Sequence, residues 1–332
     1  MRLLVPALLA SCLLAAAPAA AFEELAGELV AKEPCEAFAS LRRQANPDAA
    51  KLAPGQRYRV LGRNRRDGEW LQVLLPERRP AERWVDEDCG TLKADGPPAT
   101  GLRPFFDEVD AGRDDPAPPP PPLSTLDQAV LELCGPWGSR PKRQAFRARL
   151  DDPALAPAVA RIFAAVQGGR GDLETFKNRL TDIWFARHAF AHVFCGEPRG
   201  DELGGLHYRG RYLELQEQGI AGLASPRECR ANEVEPPVYT IGVRYRPPDG
   251  GPLRTACPKG YAYDLDAEAL LTVATRASAA LRDRRGEAMC LAQIGPYAAV
   301  VVAQDGKLRT FYPDITPRCD DGGRPASCAC EE

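Results

Sequence analysis

Three histidines, His188, His192 and His207, are the whole histidine complement of this 332-residue chain, and they fall in one short stretch. Histidine is the only side chain whose unperturbed pKa lets it take and give a proton near neutral pH. Two of them together can serve as general base and general acid in one reaction. Scattered histidines are usually structural; their concentration here argues for a shared site. His192 is followed by an apolar step and then Gly196 and Glu197, in HVFCGE. His207 follows Gly204 and Gly205, in GGLHYRGRYLEL, where glycine frees the backbone and lets a substrate approach closely. Late in the chain, DGKLRTFYPD puts Thr310 and Tyr312 two residues apart, on one face of a strand. Tyr312 there offers an aromatic surface to a base or sugar.

Other chemistry competes for the same residues. His188 and His192 are spaced i, i+4, which predicts both on one helix face. With His207 and Glu197 they could hold a zinc ion of a hydrolase, since catalytic zinc commonly takes three protein ligands and a water. No acid is positioned as in a His-Glu-x-x-His motif, which counts against it. Nucleophilic catalysis needs a positioned nucleophile, and the nearest, Cys195, is read as bridged. A non-catalytic secreted binding protein is the remaining alternative. GGRGD, from Gly168 to Asp172, is read as a loop between helices. Arg140, Lys142, Arg143, Arg147 and Arg149 form a run without an acid. It reads as a solvated helix face first, and as a contact for phosphates second.

The elements that must position these residues follow from pattern. Net charge is −3, so no overall basic excess marks a duplex-DNA binder. The N-terminus reads as a cleaved secretory signal over residues 1–21, with Ala19-Ala20-Ala21 before Phe22. Its apolar run is too short to span a membrane, so no transmembrane segment is expected after cleavage. Lipoprotein processing at Cys12 ranks second. Eleven cysteines, ten of them after the signal, predict a bridged protein, secreted or periplasmic. Cys35 and Cys89 bracket a first domain and form a natural pair. Cys328 and Cys330, together with Cys319, are expected to staple the tail back.

Residues 22–94 read as a small β domain, with strands around Tyr58–Val60, Trp70–Val73 and Trp84–Val85 and a turn at Asp67-Gly68. Its pattern resembles bacterial Src-homology-3-type barrels, which implies a binding accessory for an unidentified ligand. Residues 95–123, with the run Pro118 to Pro122, predict a stiff, extended linker. Residues 124–318 then read as the catalytic domain and 319–332 as a Cys-rich tail. Leu155, Val159, Ile162, Phe163 and Val166 share one helix face; Leu173, Phe176, Leu180, Ile183 and Trp184 share another. Tyr239, Ile241, Val243 and Tyr245 alternate as a strand, and 266–282 reads as a helix. Residues 297–303 and 307–312 read as a hairpin across Asp305-Gly306. Helices first and strands later give an α+β fold.

Taken together, HVFCGE, GGLH and TFYP make the stretch from His192 to Asp314 resemble the EndoU family. That family includes animal and bacterial EndoU-type ribonucleases and the coronavirus uridylate-specific endoribonuclease. The resemblance implies an EndoU-like α+β catalytic domain that cleaves RNA, lyase-fashion, to 2′,3′-cyclic phosphate ends. It implies His207 as base, His192 as acid and Lys259 as the cation on the phosphoryl oxygens. Glu197, Gly205, Thr310, Tyr312 and Tyr263 would bind substrate. It implies no required cofactor, with Mn2+ as an activator in some members. Two positions depart from the pattern. Ala191 stands where many cellular members have Glu, and Tyr263 stands where the coronavirus enzymes place a uracil-contacting serine, so the uridylate preference the family suggests is open here.

Overall fold

The computed structural model describes residues 22–64, 70–94, 102–108, 115–225, 227–314 and 329–330. The signal segment with Cys12, the Asp67-Gly68 turn, Cys319 and Cys328 lie outside the described residues. The fold is α+β. An antiparallel five-stranded sheet comes first, with strands β1 (Phe22–Ala31), β2 (Arg57–Asn64), β3 (Trp70–Leu74), β4 (Glu82–Asp86) and β5 (Gly90–Ala94) in the order β4-β3-β2-β1-β5. Leu29, Val60, Leu71, Val73 and Val85 form its core. The Cys35–Cys89 disulfide closes it.

Helices follow: α1 (Thr125–Cys134), α2 (Arg143–Arg149), α3 (Ala156–Gln167) and α4 (Leu173–Phe185). Ser124 and Asp127 form a reciprocal capping box at the start of α1, and Asp172 caps α4. The GGRGD loop is therefore the α3–α4 connection. Val159 and Ile162 of α3 and Phe176, Leu180 and Trp184 of α4 are buried, as their spacing predicts, whereas Leu173 faces solvent. The basic run is neutralised on the surface. Arg143 pairs with Asp182, Arg147 with Asp151 and Glu174, and Arg149 with Glu132 and Asp152. The solvated-face reading holds, since those guanidiniums are already matched by acids.

The rest alternates short strands with two helices. These are β6 (Glu197–Arg199), β7 (Glu202–Gly204), α5 (Arg209–Glu217), β8 (Ala221–Leu223), β9 (Glu233–Glu235), β10 (Val238–Tyr245), β11 (Arg254–Ala262), α6 (Ala267–Ser278), β12 (Glu287–Ile294), β13 (Tyr297–Gln304) and β14 (Lys307–Asp314). One sheet runs β11-β10-β8, with β9 also on β10; another runs β12-β13-β14; β6 and β7 form a ribbon. Asp305 (φ 51°) and Gly306 (φ 70°) both take positive φ, the geometry of the tight hairpin turn their sequence predicts.

Two apolar cores result. One packs α1, α3, α4 and α6 against the β12-β13-β14 sheet. The other packs the β11-β10-β8 sheet against α5 and Phe105, Phe106 and Trp137. This second core takes in part of residues 95–123, the stretch expected to be a stiff, extended linker. Phe105 and Phe106 are buried, and the Gln216 side chain accepts from both of their N–H groups at 2.6 and 2.9 Å. Arg59 of β2 donates to Asp107 at 2.8 Å and also pairs with Asp115. Two aromatic side chains in a proline-rich stretch dock it, where proline alone would have kept it extended. Further disulfides join Cys134–Cys195, Cys229–Cys257 and Cys290–Cys330, the last stapling the tail to β12. Among the described residues, no helix is long and apolar enough to cross a membrane.

Asp127 ties this frame to the histidine region. It is fully buried, and its Oδ1 accepts from the Tyr208 hydroxyl at 2.7 Å and from the Ala267 N–H at 2.8 Å. Its Oδ2 serves Ser124. One carboxylate thus joins the start of α1, the start of α6 and the residue after His207. Asp127→Ala strands two buried donors, the Tyr208 hydroxyl and the Ala267 N–H, breaks the capping box with Ser124, and is expected to cost about 3 kcal/mol of folding stability. Denaturant unfolding monitored by circular dichroism would check this.

Candidate active site

His192 and His207 meet at the seam between the two cores. His192 lies in a π-helical turn, Ala191–Cys195, whose Val193 and Phe194 are buried in the helical core. Such turns widen the helix and often mark functional positions. The chain returns alongside it after β7. The Leu206 N–H donates to the His192 carbonyl and the His207 N–H to the Val193 carbonyl, both at 2.8 Å. Gly205 makes this approach feasible. Its φ is +63°, and a Cβ there would sit 1.8 Å from the His192 carbonyl oxygen. The two imidazole rings end 5.8 Å apart.

Each ring is oriented by a different partner. His207 Nδ1 is 2.9 Å from the Gly260 carbonyl, which can only accept, so Nδ1 carries the proton and Nε2 presents a lone pair. Desolvation, then the neighbouring His192 and Lys259 charges, push the His207 pKa down to about 3. His192 Nδ1 faces Glu197 Oε2 at 2.8 Å. That bond holds the Glu197 carboxyl below its ordinary value, with Arg199 and Arg309 adding to the effect. Glu197 is therefore an anion, the partner an imidazolium requires. One ring is held by a carbonyl and the other is set beside a carboxylate, so two identical side chains sit in different surroundings.

Strand β11 supplies two groups to this site. Gly260 gives the carbonyl for His207, and Lys259, next to it, is half-buried and donates to the Leu203 carbonyl. Burial lowers the Lys259 pKa. From β14, Tyr312 sets its ring 5.5 Å from that of His207. The Thr310 hydroxyl is buried without a hydrogen-bond partner. The strand carries one extra residue here: Val302 pairs with Thr310, but Ala303 pairs with Leu308, leaving Arg309 as a bulge. A bulge re-aims side chains. Leu308, Phe311 and Pro313 are buried, while Arg309, Thr310 and Tyr312 are all partly exposed. Thr310 and Tyr312 are two apart on β14, and Arg309, which sequence reasoning missed, lines a pocket with His188 and Glu197. Its one visible signal is that Leu308 and Phe311 are three apart in a strand.

Two further candidates have surroundings of their own. Tyr263 packs under the Arg209 guanidinium, 5.6 Å from its ring centroid, and 6.4 Å from the Tyr239 ring. His188 does not share a helix face with His192. Its φ is +60°, the left-handed region, because α4 has ended at Phe185 and the chain reverses. It lies instead in a pocket with Glu197. Among the described residues, no group of three His, Cys, Asp or Glu side chains could hold a metal ion. In this structure His188, at φ +60°, precedes the turn that carries His192, and the four residues of the zinc arrangement do not come together as such a group.

Residues 186–315 match the family model described as bacterial EndoU nuclease, a span that takes in His188, His192, His207, Lys259, Thr310 and Tyr312 and leaves out the N-terminal sheet. Two solved structures are similar at low level. XendoU, described as a splicing-independent snoRNA-processing endoribonuclease, has a TM-score of 0.39 at 14% identity, over 58% of this chain and 78% of that one. Endoribonuclease Nsp15 of Middle East Respiratory Syndrome coronavirus has a TM-score of 0.29 at 18% identity, over 42% of this chain and 39% of that one. Those likenesses are too distant to carry a residue assignment. No curated protein matches the chain.

Proposed function

We propose that this protein, whose residues 186–315 match the bacterial EndoU nuclease family, is an exported endoribonuclease that cleaves single-stranded RNA to 2′,3′-cyclic phosphate ends. The observation that carries the reading is the pair of opposed environments. His207 Nδ1 is held by a carbonyl and His192 Nδ1 by a carboxylate, with the rings 5.8 Å apart. In this reading His207 Nε2 takes the proton of the ribose 2′-hydroxyl. The 2′-oxygen bonds to phosphorus as the bond from phosphorus to the 5′-oxygen breaks. His192 gives its proton to that departing oxygen. Lys259 stabilises the charge that builds on the phosphoryl oxygens, where fixed donors act most strongly. Tyr312 and Thr310 bind the nucleotide on the 2′-hydroxyl side. The four disulfides among the described residues support export, since such bridges persist in oxidising compartments.

The test is to incubate the oxidised protein with a short mixed-sequence RNA, with chelator or with Mn2+, and to map the ends. Cyclic phosphate ends are expected in both arms, because the proposed steps use only side chains. Products without them would overturn the mechanism; intact RNA in both arms would overturn the activity. The same map reads base preference, including any for uridine.

A pH profile tests the base. The His207 pKa is lowered, so the neutral form persists well below pH 6.5, and protonation of the base should cost nothing between pH 7 and 5. Initial rates at constant ionic strength are expected to hold or rise over that interval. An acidic limb with its midpoint near 6.5 would place the essential base on a different group.

A further inference from the structure

Beside the histidine pair is a pocket of about 200 Å3 walled by Arg187, His188, Glu197, Arg199 and Arg309. Three guanidiniums face one carboxylate there. Both oxygens of that carboxylate are committed: Glu197 Oε2 to His192 at 2.8 Å and Oε1 to Arg199 at 2.7 Å. Arg187 is held at the rim by Asp305 at 2.9 Å. Arg309, aimed here by the β14 bulge, has a buried Nη1 with no hydrogen-bond partner. A pocket lined by three arginines and one carboxylate suits a small anion. Planar, forked guanidiniums match phosphate oxygens in particular.

Its location says which phosphate. The pocket shares Glu197 with His192, so its occupant lies one side chain from the group that serves the departing 5′-oxygen. Tyr312 lies on the His207 side. We propose that this pocket binds the phosphodiester one nucleotide downstream of the cleaved bond, on the leaving strand. The assignment rests on the ribonuclease reading above. It makes the enzyme read at least two consecutive phosphates, and it gives Arg187 and Arg309 a role in binding substrate separate from the chemistry.

Three short substrates test it. The first is a dinucleotide with only the scissile phosphate; the second adds a 3′-phosphate to the leaving nucleoside; the third instead adds a 5′-phosphate upstream. The 3′-phosphate is expected to raise kcat/KM about ten-fold, on the order of one charge-assisted hydrogen bond. The 5′-phosphate is expected to add little. Arg187→Gln is expected to erase the 3′-phosphate gain while leaving dinucleotide turnover near the wild-type rate, and Arg309→Gln is expected to erase that gain as well. On a longer single strand each should make the salt dependence of log kcat/KM shallower by about 0.7. Equal losses on all three substrates would mean that the arginines only position Glu197 and His192, and would overturn the subsite. So would a pocket that answers to inorganic phosphate, changing dinucleotide turnover, without any gain from the 3′-phosphate. Affinities for the 2′-deoxy forms of the first two substrates, which cannot be cleaved, separate this proposal from the one beneath it. A preference for the 3′-phosphorylated form that Arg187→Gln removes supports the pocket even if no RNA is cut. No such preference overturns it even if RNA is cut.

Discussion

Replacing His207 by alanine is expected to lower kcat/KM on single-stranded RNA by about 10³-fold, the scale of one positioned acid or base. His192→Ala is expected to lose a similar amount, and the double variant little more, since the two act in one step. The cost to folding should be small. His207 makes one side-chain hydrogen bond, to the Gly260 carbonyl, worth about 1 kcal/mol. A melting curve close to that of the wild type would exclude unfolding as the cause. Leaving-group chemistry separates the roles. A nucleoside phosphodiester with a nitrophenolate leaving group needs no acid, because that oxygen departs unprotonated. On it His192→Ala should recover most of its rate, while His207→Ala should stay slow. The reverse pattern would exchange base and acid. Full activity of both variants on RNA would sink the site.

The roles differ between two identical side chains because their surroundings differ, and those surroundings were only partly legible in sequence. HVFCGE contains Glu197 five residues after His192, but the motif pointed to Glu197 as a substrate contact, whereas it holds the His192 ring. The partner of His207 is a backbone carbonyl 53 residues away in β11, and a carbonyl leaves no residue-type signal. The same contrast holds across the fold. The α3 and α4 faces, the Tyr239–Tyr245 strand and the Asp305-Gly306 hairpin carry strong local periods or turn chemistry, and they form where those signals lie. The π-helical turn, the β14 bulge and the reversal at His188 are set by tertiary packing, with no period of their own. They are also the features that shape the site. An i, i+4 spacing suggested a shared helix face for His188 and His192, but helix continuity is a condition that spacing cannot test. Docking of Phe105 and Phe106 was likewise hidden, since composition marks a proline-rich stretch as extended without saying what its aromatics meet.

Gly205 joins the legible and illegible parts, and its substitution should have the second large effect. Two consecutive glycines before His207 announced close backbone approach, though not by what. The approaching group is the His192 carbonyl, which accepts from the Leu206 N–H at 2.8 Å. Alanine at 205 would face two separate penalties. Its Cβ would fall 1.8 Å from that oxygen, well inside any real contact, and the obstacle is backbone, which cannot rotate away. Its φ of +63° would also cost about 1–2 kcal/mol for any L side chain. Leu206, already at φ +74°, leaves the neighbouring residue little room to absorb the change. The two histidine segments would have to separate. Gly205→Ala is therefore expected to cost about 3 kcal/mol in stability, within the range for strain at a special backbone position. It should also cost at least 10²-fold in kcat/KM, since a shift of about 1 Å between reacting groups has that effect. Measuring both under conditions where the variant is folded separates them: activity should stay low where circular dichroism is native. Gly204→Ala is the matched control. A Cβ there would meet only the Glu197 side chain and carbonyl at 3.5 Å or beyond, ordinary contact distance. If Gly205→Ala behaves like Gly204→Ala, the backbone contact is not what aligns the pair.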